Sequence, residues 1–246
     1  MADICWEDIF NPEALEKSQD GNPFKKLNDT VYELMEDAII TYRIPTNTKL
    51  SPVKIAELLN VSRTPVTEAL ERLRELGLVV TSPDARGYFV FDISRTSLEN
   101  LFSARRAIEG EAAFLCAQNN FSVDLPRLES LAKMFRASFE KQYFKHFSML
   151  DKAFHNLLVE SCGNPILVKM YQSIDKLNSY YSIRSQEYMN TVGTHPDAMT
   201  VAGQHMSIYH AVEMGIPELA KESMDRHMDA CYILCLRYHT NVGGTK

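Results

Sequence analysis

Residues 58–70 read LLNVSRTPVTEAL and carry the signals for two short helices joined by a tight turn. Pro52 and Pro65 each follow a residue with a capping hydroxyl, and a hydroxyl followed by proline is typical of a helix start. Three turn-forming residues after the second leucine separate the two helices. The stretch therefore predicts helices over 51–59 and 64–76.

The segments on either side extend this pattern into a small domain. Apolar residues recur at helical spacing over 24–43, which predicts a preceding helix. Residues 78–81 and 88–91 are β-branched and aromatic, and turn residues separate them, so they predict a β-hairpin. Three helices followed by a hairpin are typical of a winged helix-turn-helix, whose second short helix enters the DNA major groove. The alternative is a generic small α+β domain.

The rest of the chain is predicted to be a second, all-helical domain. Its apolar periodicity and its Gly, Asn and Pro breaks indicate six helices, which together predict an antiparallel helical bundle. Their approximate ranges are 97–119, 124–141, 143–162, 165–189, 198–214 and 217–238. The predicted fold is mainly α, with an acidic tail (1–22), a winged helix-turn-helix (23–92) and a helical bundle (93–240).

Charge and composition neither require nor exclude a nucleic-acid partner. The net charge of −6 divides into −5 for residues 1–22, −1 for 23–92 and 0 for 93–246. The acidity is thus mostly in the tail, for which we predict disorder. No apolar run is long enough to span a membrane, and the N-terminus does not resemble a secretory signal, so we expect a cytoplasmic protein. The five cysteines match no zinc pattern and are predicted to be buried, reduced thiols.

Four polar residues lie on the apolar stripes of three predicted helices. Asp151 and His155 are four residues apart on one face, and His205 and His227 each lie on an apolar face of another helix. Buried polar groups need partners, and facing helices of a bundle can build a metal site. Three nitrogens and one oxygen suit Zn²⁺, Ni²⁺, Mn²⁺ or Fe²⁺ rather than Ca²⁺. The alternative is a set of core histidines that are hydrogen-bonded independently.

Both predicted domains resemble those of a known family of regulators. Residues 58–70, with 72–79 and 86–90, resemble the central signature of the GntR family of bacterial transcription regulators. Residues 97–238 resemble the FCD ligand-binding domain of its FadR subfamily, through segments at 105–109, 151–155, 163–164, 204–205 and 226–228. This resemblance implies a metal held by Asp151, His155, His205 and His227.

The resemblance also implies which residues contact double-stranded DNA. Arg63 is the candidate reader of guanine, because the arginine fork matches guanine O6 and N7. The other implied contacts are at the start of the recognition helix and in the wing: Thr64, Pro65, Arg86 and Gly87. Thr67 stands where the family usually has a second arginine, and threonine cannot make a bidentate contact. We therefore expect an altered operator preference.

The expected function is that of a homodimeric regulator that binds an inverted repeat and responds to a small organic acid. Repression is usual for the family. Arg105 is a candidate for pairing with the carboxylate of the acid, and a surface ion pair with Glu109 is the alternative. A metal-dependent hydrolytic enzyme and a regulator with a purely structural metal are the competing hypotheses.

Overall fold

The chain forms two compact units, Met1–Ile93 and Ser94–Lys246. The structure, a computed structural model, describes residues 4–19, 25–82, 86–91, 94–144, 146–193 and 198–240. The boundary between the units lies one residue after the position predicted from the sequence. No helix among the described residues is both long and apolar enough to cross a membrane.

The first unit contains the predicted helices and hairpin, together with elements that were not predicted. Its helices are α1 (Trp6–Ile9), α2 (Pro12–Ser18), α3 (Leu27–Ile40), α4 (Pro52–Leu59) and α5 (Arg63–Glu75). Its strands are β1 (Lys49–Leu50), β2 (Val79–Thr81) and β3 (Tyr88–Val90), in the antiparallel order β1-β3-β2. The hairpin β2–β3 was predicted. The two-residue strand β1 was missed because it is too short to show any alternation of apolar and polar residues.

Helices α4 and α5 form the predicted helix-turn-helix. The turn begins at Asn60, which ends α4 in the left-handed conformation with φ of 54°. Helix α5 starts at Arg63, one residue earlier than predicted, and Ser62 is its N-cap residue. The apolar face of α5 is fully buried, and α5 packs against α3. Gly77 follows α5 with φ of +74°, a conformation that glycine adopts at no steric cost.

The prediction of a disordered tail is wrong for residues 6–18. These residues form α1 and α2, and Phe10 and Leu15 are buried. The side chain of Asn11 caps α2, and α2 packs against α3. Trp6 stacks on Phe10 and lies under the Lys54 ammonium, 5.4 Å from the ring centroid. The acidic composition suggested disorder, but a few apolar side chains are enough to hold this segment against the domain.

The second unit consists of the six predicted helices and a short 3₁₀ turn at Asn120–Ser122. The helices are α6 (Arg95–Gln118), α7 (Leu125–Glu140), α8 (Phe147–Ser161), α9 (Pro165–Val192), α10 (Ala198–Glu213) and α11 (Pro217–Thr240). Helix α6 packs along α11, and α10 packs against both α7 and α11. At Gly110 the approach of α6 to α11 is so close that an added Cβ would lie 2.7 Å from Asp225 Oδ1.

Candidate functional site

Three helices of the second unit bring the four predicted ligands together in its core. Helix α8 carries Asp151 and His155, α10 carries His205 and α11 carries His227. The three imidazoles are fully buried, and the Asp151 side chain is 13% exposed. One ligand atom from each of the four residues lies within 4.8 Å of the others. The helical stripes in the sequence thus identified residues that meet in space.

The Nε2 atoms of the three histidines form a nearly equilateral triangle. They are 3.3 Å apart between His155 and His205, 3.2 Å between His205 and His227, and 3.3 Å between His155 and His227. A metal–nitrogen distance of about 2.0–2.1 Å with tetrahedral angles places two ligand nitrogens about 3.3–3.4 Å apart. The triangle therefore fits a single divalent transition metal.

The carboxylate of Asp151 completes this cluster on one side. Its Oδ1 lies 3.6 Å from His155 Nε2 and 3.5 Å from His205 Nε2. A carboxylate oxygen with three imidazole nitrogens is a ligand set for Zn²⁺, Ni²⁺, Mn²⁺ or Fe²⁺. The four residues could hold such an ion.

The second ring nitrogen of two of these histidines is within reach of a partner on another helix. His155 Nδ1 lies 2.6 Å from Glu109 Oε2, and His227 Nδ1 lies 3.4 Å from the side-chain oxygen of Gln204. His205 Nδ1 is buried and has no hydrogen-bond partner among the described residues. Oxygens that face Nδ1 leave Nε2 directed towards the cluster, where it could bind a cation.

Glu109 is a part of the site that the sequence reasoning did not assign. It accepts a hydrogen bond from Arg105 Nε at 2.6 Å, and both side chains are buried. The predicted alternative, a surface ion pair between these two residues, is therefore wrong about the surface: the pair forms in the core. The sequence signal for Glu109 was its position as an acidic residue on the face of α6 that also carries Ala112 and Cys116.

The ionisation states at the site follow from burial and neighbouring charges. Burial alone would raise the pKa of the Glu109 carboxyl, but the positive charges of Arg105 and His155 outweigh it and lower the pKa to about 2. Burial also opposes charge on His155, yet Glu109 and Asp151 raise its pKa to about 9. Burial lowers the pKa of His227 to about 3 and that of His205 well below its usual value. The latter two imidazoles are therefore neutral, with lone pairs available to a cation.

A cavity of about 40 Å³ adjoins this cluster within the second unit. Arg105 and Asp151 are the charged residues in its wall, and the remaining wall is mostly aromatic, aliphatic and hydroxyl side chains. These are Phe102, Phe147, Asn178, Tyr181, Ser182, Ser185, Val201, Leu234 and Tyr238, together with Cys231 and Cys235. Such a cavity has room for a few water-sized groups beside the metal ligands.

The cysteines only partly match the prediction of buried, reduced thiols. Cys116 and Cys162 are buried, but Cys5 is exposed, and Cys231 and Cys235 are half-buried. All five are free thiols. Cys231 Sγ lies 3.5 Å from His227 Nε2, so a thiol borders the metal cluster on its cavity side.

The predicted DNA-contacting residues lie at the start of α5 and in the wing, with different exposures. Arg63, Thr64 and Arg86 are exposed, whereas Thr67 is half-buried. Pro65 is buried within the unit. Gly87 in the wing has φ of +128°, which favours glycine.

Arg63 differs from the two arginines near the end of the same helix. Arg72 pairs with Asp29 at 2.8 Å and lies over the Tyr32 ring, and Arg74 pairs with Glu71. Arg63 makes no ion pair with any residue in the described part of the chain. Glu71 also accepts a hydrogen bond from the Tyr88 hydroxyl at 2.6 Å, which joins α5 to the wing. Arg63 is therefore the arginine of α5 whose guanidinium is available to a ligand.

These two units define a class of protein, the DNA-binding transcription regulators with a second, helical domain. Residues 27–90 match the model of the bacterial regulatory proteins of the gntR family, and residues 100–230 match the FCD domain. The chain belongs to the GntR family and carries an FCD domain. It is a transcription regulator rather than an enzyme, so the alternative of a metal-dependent hydrolase is wrong.

Individual relatives and solved structures agree with this assignment. The chain is similar to the HTH-type transcriptional repressor RspR of Escherichia coli K12, with 28% identity over 207 residues that cover 84% of this chain and 88% of RspR. Its fold is similar to that of E. coli McbR/YncC, with a TM-score of 0.64, 18% identity and coverage of 87% and 99% of the two chains. A GntR regulator from Rhodococcus sp. RHA1 gives a TM-score of 0.63 at 21% identity, covering 89% and 99%. At these identities the two structures support the fold alone.

Proposed function

We propose that this regulator belongs to the FadR subfamily and binds an inverted-repeat operator as a homodimer. We also propose that a small organic acid, bound at a divalent metal in the FCD domain, controls its affinity for the operator. The observation that carries the proposal is the buried triangle of imidazole nitrogens beside a cavity whose wall contains Asp151 and Arg105. A cation and an arginine at one cavity are suited to a carboxylate.

Each group has a defined part in this proposal. Asp151, His155, His205 and His227 would hold the metal, and the metal would supply a positive charge and a coordination position for the acid. Arg105 would donate hydrogen bonds to the carboxylate from the cavity wall. Burial of these groups excludes bulk water, and electrostatic attraction is stronger where water is excluded.

The DNA-binding part rests on residues at the start of α5 and in the wing. Arg63 would read a guanine in the major groove. Thr64, Pro65 and Thr67 would lie beside it on the same helix, and Arg86 and Gly87 would contact DNA from the wing. A two-fold protein matches a palindromic site in symmetry. We propose that the protein represses transcription, because the relative RspR is named a repressor.

The experiment measures the metal content, the DNA binding and the response to acids of a single protein preparation. The metal content of the purified protein is determined, and binding to the DNA upstream of its own gene is then measured by footprinting at fixed salt, because phosphate contacts make affinity salt-dependent. We expect about one divalent ion per chain, a protected inverted repeat, and a change in protection when an acid is added. Protection that is indifferent to every acid tested, with the metal bound, would instead assign the metal a purely structural role.

A further inference from the structure

The buried charges around the cavity do not cancel once a metal is present. Arg105 is positive, and Glu109 and Asp151 are negative, which leaves one negative charge among these three residues. Imidazoles that ligate a metal through Nε2 are neutral. A divalent cation at the cluster therefore brings the sum to one positive charge.

We infer that the cavity selects monocarboxylates over dicarboxylates, because a single added negative charge neutralises the buried charges that surround it. This inference rests on the proposed function and adds to it the charge class of the acid. An uncompensated charge in a buried site is costly whatever its sign. The first carboxylate removes such a charge, and a second carboxylate creates one.

The wall of the cavity offers no further cation to a second carboxylate. Among its described residues the only positive side chain is Arg105, and its guanidinium already donates to Glu109 at 2.6 and 3.4 Å. The rest of the wall consists of aromatic, aliphatic, thiol, amide and hydroxyl groups. Such a wall can accommodate an apolar, hydroxyl or amide end of a ligand better than a second anionic end.

Glu109 is the residue that sets the net charge of the metal-loaded site, although it does not line the cavity. Its carboxylate neutralises Arg105 on one side and contacts His155 Nδ1 on the other. Without its charge, the same metal-loaded site would carry two positive charges and would favour a dianion. The Gln side chain has the same shape and keeps a carbonyl oxygen that can accept from one of the two donors.

The first test uses acids that differ in charge but hardly in size. Succinate and its half-amide succinamate, and glutarate and its half-amide, are titrated by calorimetry into the dialysed, metal-loaded protein. We expect each half-amide to bind at least tenfold more tightly than its diacid. Equal affinity, or tighter binding of the diacids, would overturn the charge selection and leave the proposed function standing. If none of the four ligands binds, the inference is overturned, whereas the acid part of the proposed function falls only if no acid changes the protection of the operator.

The second test asks whether a substitution changes the preference for the half-amide over the diacid without abolishing binding. In Glu109→Gln, the ratio of half-amide to diacid affinity should fall at least several-fold, and metal analysis of the same sample confirms that the site is still loaded. Glu111→Gln is the matched control, because it removes the same charge from α6 at a half-buried residue that, among the described residues, forms no ion pair with Arg105 or His155. An unchanged ratio in a loaded Glu109→Gln protein, or an equal fall in the control, would contradict the role of Glu109.

Discussion

His205 is the residue on which the metal cluster depends most closely. Its Nε2 lies within 3.5 Å of one atom from each of the other three ligands, and its ring stacks on Phe154 with centroids 4.2 Å apart. Its Nδ1 is buried and has no hydrogen-bond partner among the described residues. A cation at Nε2 would compensate for the cost of that burial.

We predict that His205→Ala abolishes stoichiometric metal binding and melts at a lower temperature than the metal-loaded wild type. The loss has two sources, the stabilisation that a bound ligand adds to the folded state and the cavity left in the core. Metal analysis and thermal unfolding measure it. His210→Ala, an exposed position on the same helix, is the control and should keep both properties. Full metal content in His205→Ala would refute the ligand set.

Arg63 is the residue of the first unit for which we predict the largest effect on DNA binding. We predict that Arg63→Ala weakens operator binding by about 1–3 kcal/mol for each base that the arginine reads in the wild type. Arg74→Ala should have a smaller effect on specificity, because Arg74 is engaged with Glu71. Both are measured by titration of operator DNA at one salt concentration. Unaltered operator affinity in Arg63→Ala would show that α5 docks differently.

At the residue scale, the sequence allowed the four residues of the cluster to be predicted but not the groups that contact them. Helical spacing places Asp151 and His155 on one face and predicts that His205 and His227 face inward. It does not say which residue of α6 meets His155, because that depends on how two helices pack. Glu109 therefore became identifiable only in three dimensions.

At the scale of elements, the strongly periodic helices were predictable and the short elements were not. The six helices of the second unit begin and end within about four residues of the predicted positions, since Asn, Gly and Pro mark their ends. Strand β1 and helix α1 are only two and four residues long. Tertiary contacts, rather than local pattern, hold such short elements in place.

At the same scale, we predict that helix α2 and the turn before it stabilise the first unit. Phe10 is fully buried in the first unit, so we predict that Phe10→Ala destabilises this unit by about 3–5 kcal/mol, the usual cost of removing a buried phenylalanine side chain. Urea unfolding measures the effect. Glu16→Ala, which alters an exposed residue of α2, should change the free energy of unfolding far less. A negligible effect of Phe10→Ala would mean that the N-terminal segment contributes little to the fold.

At the scale of the whole molecule, the proposal is a linkage between two binding events. If an acid changes operator affinity by some factor, the operator must change acid affinity by the same factor. The sequence predicted the family, and the comparisons confirm it. The chain also forms two compact units. The sequence could not identify the acid, because the cavity is lined by residues from several helices whose packing no local pattern specifies.

Metal removal gives a prediction at this scale. A chelator should lower the melting temperature of the full chain, and adding back Zn²⁺, Ni²⁺, Mn²⁺ or Fe²⁺ should restore it, because metal bound only to the folded state stabilises that state. Differential scanning calorimetry measures both steps. The His205→Ala protein should not respond to either step. A wild-type melting temperature that is insensitive to chelator would contradict a resident metal.

The central claim is that a metal-bound acid in the FCD domain controls binding to DNA by the winged helix-turn-helix. The most direct measurement is the operator affinity of the metal-loaded protein, at fixed near-physiological salt, as a function of the concentration of the acid selected by calorimetry. We predict that operator affinity changes severalfold with acid in the wild type and stays constant in His205→Ala. An operator affinity that changes equally in both proteins, or in neither, would contradict it.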